Sequence, residues 1–362
     1  MNVVRKRAAV AAAIAVVAAT SGCGASQGDT TIAPAPKDPN AAATGTLRVF
    51  AYGDTLTDDM LDPFRRQNPD LDLQTASFNS NKAAAAKLAG GFEADVVEVC
   101  ADEMEPLLAR GLVRPLDPAA IKDFDQLALS GSDEIRDQAG KVLFAPDSAG
   151  PHGLIINTDE LDPKSIDSFA DLFDPQFAGR TAMEATPLTA IAVTAMALGM
   201  DDPMNLTPDQ IDEVKQYLLD HRDQFRDFAE SDASMNNLFK SGETVIADGG
   251  RGTTQTMIKD GVPAQWIAPK EGVLSWVCGL AITSHAENIP AAYKLLNYYA
   301  SPAAQAISGE AGYVAMNPKA LPLIPAEYRN TADPSSLKTA IPEVQPPTAE
   351  LYDRAWQEVA AG

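Results

Sequence analysis

The chain is poor in the residues that carry most enzyme chemistry, with 3 histidines and 3 cysteines among 362 residues. No GxSxG, HExxH or catalytic-cysteine signature occurs, so the common nucleophilic and zinc-hydrolase templates find no support. No CxxC pair and no clustered Cys/His spacing is present, which leaves no case for a metal site. Neither a Walker A loop nor a dinucleotide fingerprint points to a cofactor. Basic residues are also scarce, 28 Lys and Arg against 50 Asp and Glu, for a formal net charge of −22. So acidic a chain repels nucleic acid and anionic lipid surfaces. The same charge spread over a surface serves solubility, and by itself it names no ligand. Carboxylate pairs are plentiful, but an acidic chain makes them by chance, so a hydrolase is a secondary reading. Beyond Ala19 no apolar run is long enough to cross a membrane.

What is present begins at the N-terminus. Arg5, Lys6 and Arg7 precede an uncharged run from Ala8 to Ala19, too short to span a bilayer. It ends in Thr20-Ser21-Gly22-Cys23, which resembles a lipobox with Thr20 at the usual leucine position. The expected organisation is a signal peptide over 1–22, lipid on Cys23, and a protein held on the outer face of the cytoplasmic membrane. An ordinary secretory signal is the alternative, and it too leaves the working part outside the cytoplasm. Loss of residues 1–22 removes three positive charges and takes the formal net charge from −22 to −25. Residues 24–45 are small, polar and proline-dotted, which suits a flexible tether over 23–45 with folding beginning near Thr46. About 320 residues remain, more than one hydrophobic core usually organises, so two lobes are expected. Cys100 and Cys278 are candidates for pairing in an oxidising compartment, and two isolated buried thiols are the alternative.

Along the chain, strands alternate with helices, the pattern of an α/β sheet. Leu47–Ala51, Leu71–Phe78, Asp95–Val99, His152–Asn157, Thr244–Ala247, Gln265–Ala268 and Val277–Ile282 read as strands. Helices are expected after Thr57-Asp58-Asp59 and over 82–89, 103–110, 186–198 and 291–300. Thr207-Pro208-Asp209-Gln210 has capping-box spacing with proline at the first helical position, which starts a helix through Leu219. Asp248-Gly249-Gly250-Arg251-Gly252 reads as a glycine-rich turn whose backbone donors and Arg251 could surround a carboxylate or phosphate, or as a tight turn with a solvated arginine. Of the histidines, His221 and His285 read as solvated. His152 opens an apolar strand, where it is either a hydrogen-bonded structural residue or one facing a cleft.

Several segments together resemble the spermidine/putrescine-binding family of ABC-transporter substrate-binding proteins. They are Thr46 to Asp54 (TLRVFAYGD), Ala94 to Val97 (ADVV), Ser168 to Gly179 (SFADLFDPQFAG, similar to the family's SWADLWDPKYKG), Pro269 to Gly272 followed by Trp276, and Gly312 to Asn317 (GYVAMN). The resemblance runs in order from Thr46 to about Pro318. It implies a two-lobed α/β fold of the type II periplasmic-binding-protein kind, with the ligand cleft between the lobes. Crossings are expected near Pro146 and Trp276. Lobe one then holds 46–146 and 277–318, and lobe two 147–276 and 319–362, with Leu351, Tyr352 and Trp356 docking on the latter. The implied function is binding without chemistry: a monomer that closes on a small solute and is recognised by ABC permease subunits.

The implied ligand set departs from the family's. Tyr52, Trp276 and Tyr313 match aromatic positions that sandwich an amine's methylene chain. The carboxylate two residues after the cleft tryptophan is replaced by Cys278, and the acids expected near the second-lobe helix are Ala185 and Thr189. Asp54, Glu103, Glu184 and Asp248 form an alternative set of acids for a polyamine-like or other small cation. If Arg251 faces inward instead, a solute bearing a carboxylate or phosphate is implied. Because both cysteine positions should approach one cleft, the resemblance also implies a Cys100–Cys278 disulfide. An envelope hydrolase on a bilobal fold, and a scaffold that has lost ligand binding, are the readings from other classes.

Overall fold

The computed structural model describes residues 31–38 and 41–362; the export signal and Cys23 lie outside the described residues. Strand β1 (Gly45–Ala51) buries Leu47, Val49 and Phe50 and pairs in parallel with β2 (Leu71–Ser77) and β3 (Val96–Cys100). The crossovers are α1 (Asp58–Gln67) and α2 (Asn81–Ala89). Helix α1 starts with Asp58 and Asp59 and ends with Arg65 and Arg66, charges that oppose its dipole, and it buries Met60, Leu61 and Phe64. The helix expected over 103–110 is instead a short 3-10 turn at Ala101–Glu103 followed by α3 (Glu105–Leu108). Pro106 has no amide hydrogen to continue a helix from Glu103, so a new one starts beside it.

After β4 (Val113–Arg114), the 13-residue strand β5 (Ala145–Asn157) leads to β6 (Thr181–Glu184), α4 (Pro187–Ala197) and α5 (Pro208–Asp220). The Thr207/Gln210 capping box forms with both side chains engaged. Then come β7 (Phe225–Ala229), α6 (Asp232–Lys240), β8 (Ile246–Gly250), α7 (Arg251–Lys259), β9 (Ala264–Ile267) and β10 (Leu274–Thr283). The chain ends with α8 (Ile289–Tyr299), α9 (Pro302–Ala311), α10 (Arg329–Ala332), β11 (Ile341–Pro342) and α11 (Ala349–Ala361). The expected turn at Asp248–Gly252 does not form: β8 runs to Gly250 and α7 starts at the next residue, with Gly250 as its N-cap.

The strands join in the order β2-β1-β3-β10-β5-β8-β6-β7, with β4 and β11 also on β10 and β9 on β5. Strands β5 and β10 pass between two hydrophobic cores. β5 gives Ala145 and Ala149 to the first core and Leu154 and Ile156 to the second. β10 gives Leu274 to the second core and Val277, Leu280 and Ile282 to the first. Tyr352, Ala355, Trp356 and Val359 of α11 dock on the second core. Residues 320–332, expected beside them, instead pack on α9, where Ala320, Ile324 and Ala332 share a small cluster with Ala306 and Ala315. The Ala315 amide donates to the Ala332 carbonyl at 2.9 Å and holds this segment there.

Part of the tether is also fixed. Ala33 is fully buried, its amide donates to the Pro115 carbonyl at 2.8 Å, and its carbonyl accepts from the Tyr293 hydroxyl at 2.8 Å. Lys294 Nζ donates to the Ala41 carbonyl at 2.7 Å. The buried Tyr293 hydroxyl needs an acceptor, and a proline-dotted segment supplies extended carbonyls without requiring side-chain packing. Ordered chain therefore begins before Thr46.

Cys100 and Cys278 face each other across the β3–β10 ladder and are joined by a disulfide that closes a sequence separation of 178. A non-reduced digest is expected to yield one peptide pair linked through these cysteines. Replacing both with serine should lower the unfolding free energy by up to about 5 kcal/mol in denaturant titration; an unchanged midpoint and slope would show that the cross-link adds no stability.

Candidate functional site

The site forms where β5 and β10 run side by side between the two cores. Trp276 of β10 is paired with Gly150 of β5, and a side-chain carbon on Gly150 would lie 2.8 Å from the indole, so only glycine lets the ring lie against this strand. The Tyr313 ring meets Trp276 edge-on with centroids 5.7 Å apart. Tyr313 also touches α7, where a side-chain carbon on Gly252 would come within 2.7 Å of its ring. Its hydroxyl donates to Asp54 Oδ2 at 2.6 Å. The tyrosine thus contacts the tryptophan, an acid of the first half and a helix of the second.

Acids gather on both sides of this pair. On the side of β1 and β3, Glu98 is buried, and it accepts from the Tyr52 amide at 2.9 Å and from the Thr55 hydroxyl at 2.9 Å. Asp147 of β5 is 3% exposed, and burial pushes its carboxyl up to about 7, with the Asp54 charge adding to the rise. Desolvation likewise raises Glu98 and Asp102, with Asp147 the next contribution at Glu98 and Glu103 at Asp102. Glu103 is held by the Asn81 amide at 2.7 Å and the Tyr52 hydroxyl at 3.3 Å. That fixes the first turn of α2 and ties Tyr52 to this acid.

Across the cleft, His152 of β5 lies 3.0 Å from Asp248 Oδ2 through Nε2 and 3.5 Å from Glu184 Oε2 through Nδ1. Its burial opposes protonation, but the Asp248 hydrogen bond and the charges of Glu184, Asp248 and Glu343 outweigh it and lift the imidazole to about 9. At neutral pH both ring nitrogens therefore carry protons, Nε2 donating to Asp248 and Nδ1 ion-paired with Glu184, and a resident cation sits among the acids. Asp248 is fully buried, and its Oδ1 accepts the Glu184 amide at 2.9 Å, so it organises His152 and β6 and does not stand open to the cleft. Glu184 has a side chain 36% exposed; desolvation raises its carboxyl to about 7 against the opposing charge of His152.

Three acids escaped the sequence reading, Glu98, Asp147 and Glu343. Glu343, 3% exposed, accepts the Thr189 hydroxyl at 2.7 Å, so a carboxylate from the segment after β11 reaches the helix position where threonine stands in the chain. Its only sequence signal is an isolated acid in a proline-rich stretch. Asp147 carried a better one, a charged residue in a run that is otherwise apolar or small. Arg251 does not join the acids. Its guanidinium donates to the Thr331 carbonyl and lies 5.7 Å from the centroid of the Trp266 ring, and burial lowers its pKa to about 10. Of the residues expected at the site, Asp54 and Tyr313 line a cavity, Trp276 meets Tyr313, Tyr52 is bonded to Glu103, and Glu184 and Asp248 meet through His152.

Two cores joined by a pair of crossing strands, with an acid-lined cleft at the crossing, define a two-lobed binding-protein fold. Residues 59–334 match the family described as bacterial extracellular solute-binding protein, and the chain belongs to that family. Spermidine/putrescine-binding periplasmic protein 1 of Haemophilus influenzae is 26% identical over 324 residues, covering 88% of this chain and 85% of that protein. The fold is similar to that of a spermidine/putrescine ABC transporter substrate-binding protein from Streptococcus pneumoniae, with TM-score 0.74 and 18% identity over 88% of this chain and 99% of that one. It is also similar to a periplasmic binding protein of A. tumefaciens in complex with glucopine, with TM-score 0.72 and 19% identity over 87% of this chain and 100% of that one. One fold thus serves different solutes, and the lining residues must choose among them.

The raised groups fix a pH dependence. His152, lifted from 6.5 to about 9, contributes stability that is complete below pH 6.5 and lost as pH rises through 9. Glu184, lifted from 4.5 to about 7, acts in the same sense at lower pH. The ligand-free protein should therefore lose on the order of 3 kcal/mol between neutral pH and pH 9 to 10 through His152, and His152→Gln should flatten that decline. Equilibrium denaturation across this range checks it; an unaltered slope in the variant contradicts the assignment.

Proposed function

We propose that this protein is the solute-binding component of an ABC importer, anchored outside the cytoplasm by lipid on Cys23, and that it binds a small organic cation of the polyamine class as a monomer. The lobes, 46–146 with 277–318 and 147–276 with most of the remainder, turn about β5 and β10 and close on the solute, which permease subunits then receive unaltered. The observation that carries this reading is the charge of the cleft. Glu98, Asp102, Asp147, Glu184 and Glu343 all have raised carboxyls, and among the described ion pairs His152 is the one cation that meets the cleft acids. Burial is the largest cause of each rise, and a guest that brings positive charge offsets the cost of ionising buried carboxyls. Trp276 and Tyr313 offer ring faces and edges to its apolar part and cation–π attraction to its ammonium.

The anion reading lacks this support, because Arg251 is turned to Thr331 and Trp266. The hydrolase reading needs a nucleophile beside a base, and both nitrogens of His152 face carboxylates. Calorimetry with 1,4-diaminobutane, spermidine, acetate and phosphate tests the proposal. Saturable binding of the amines alone is expected, with compaction in small-angle scattering and a stabilisation near 2.7 kcal/mol at about a hundredfold excess over Kd. Trp276→Ala should weaken it by about tenfold or more. Binding of the anions but not the amines would overturn the charge class, and breakdown of the solute would overturn binding without chemistry.

A further inference from the structure

A cavity of about 300 Å³ opens beside Tyr313 and is lined, among others, by Asp54, Asp147, Ser148, Tyr299, Tyr313 and Thr256. Its volume corresponds to about ten waters, enough for the end of an aliphatic chain. Three hydroxyls of its lining direct their hydrogens away from it. Ser148 Oγ donates to Asp147 Oδ1 at 3.0 Å, Tyr299 to the Thr55 carbonyl at 2.7 Å, and Tyr313 to Asp54 Oδ2 at 2.6 Å. What these three hydroxyls have left is lone pairs. Asp147 is 3% exposed, and its buried Oδ2 has no hydrogen-bond partner among the described residues. Lys259 also lines the cavity, but its Nζ donates to the Glu310 carbonyl at 3.1 Å.

Asp54, Asp147 and these three hydroxyls present acceptors on one side of the cavity, and a group that only donates satisfies them. A primary ammonium has three donors and no acceptor, and its charge answers both Asp54 and Asp147. We propose that Asp147 is a solute-binding residue and that this cavity is a subsite for a primary ammonium, held between the carboxylates of Asp147 and Asp54 with the tyrosine oxygens as further acceptors. The inference rests on the cationic reading of the cleft and adds to it which end of the cleft holds a terminal amine and by which residue.

Calorimetric titration of the mature chain with 1,4-diaminobutane, and with butylamine as a one-headed probe, tests it in wild type, Asp147→Asn and Asp147→Ser. Both variants keep a small polar side chain on β5, and their ligand-free melting temperatures report whether they fold. Asp147→Asn is expected to weaken 1,4-diaminobutane by about tenfold or more, since the amide retains shape but loses the charge-assisted bond, and Asp147→Ser should weaken it at least as much. Affinity within about twofold of wild type in folded variants, with wild-type binding intact, overturns the subsite alone. Absence of amine binding in the wild type overturns the cationic reading and the subsite together. Equal stabilisation by potassium chloride, lost in the same variants, assigns the cavity to a metal cation and overturns the ammonium.

Discussion

The antiparallel pairing of β5 with β10 is the contact on which the rest depends. It joins the two cores, and its register decides which side chains meet at the crossing. Trp276 stands opposite Gly150, Cys278 opposite Ser148 and Leu274 opposite His152. A slip of one residue would turn every side chain of one strand to the other face, exchanging Trp276 and Cys278 for their buried neighbours. The register shift between Cys278 and Gly279 lies just past the site, where the ladder passes from cleft to first core. On the far side of β5, Gly250 faces His152 and Leu154 faces Asp248, which brings the imidazole and its carboxylate onto neighbouring strands.

Electrostatics gives this geometry a direction. Closing two lobes over like charges is unfavourable, because burial removes the water that solvates them and brings the charges together. His152 offsets this on one side through Asp248 and Glu184, and among the described residues no ion pair is formed by Asp54 or Asp147. On the reading proposed above, a cationic solute would supply the missing charge in the closed arrangement and so favour it, which is the differential affinity that a ligand-driven closure requires. In the structure the halves already touch through Arg251 with Thr331, Lys259 with Glu310 and the exposed pair Lys82–Asp353 at 3.7 Å. Exposed pairs of this kind contribute little, so the solute can decide the balance.

The site also shows how functional groups move between chain segments. Residue 278 is a cysteine bonded to Cys100 and adds no charge, yet Asp147 lies on the strand beside it. Thr189 occupies a helix position without a carboxylate, yet Glu343 reaches it from the C-terminal segment. The charge at a site depends on which side chains converge in space. Residues far apart in sequence can supply it equally well.

How much of this was legible beforehand follows from the range of the interactions. Strand and helix order and the Thr207 capping box are written in local periodicity, and the two-lobed architecture was implied by the resemblance of segments such as Ser168–Gly179 to a known family. Trp276 and Tyr313 were recognisable because each sits in a segment of distinctive pattern. The full length of β5 was not, because Pro146 and Pro151 interrupt its pattern and proline normally argues against an interior strand; partners on both sides hold it extended regardless. Nor could the sequence show that Ala33 would be buried, that Arg251 would turn to Thr331, or that Asp248 would be enclosed while Asp147 kept a free oxygen. By itself the sequence determined the α/β class and the acidic character, since both arise from composition and short-range pattern, and its resemblance to a known family implied the type of two-lobed fold. Only the tertiary structure decided which acids share the cleft and which already have a partner, because hydrogen bonding and desolvation depend on neighbours that the chain brings together from more than a hundred residues apart.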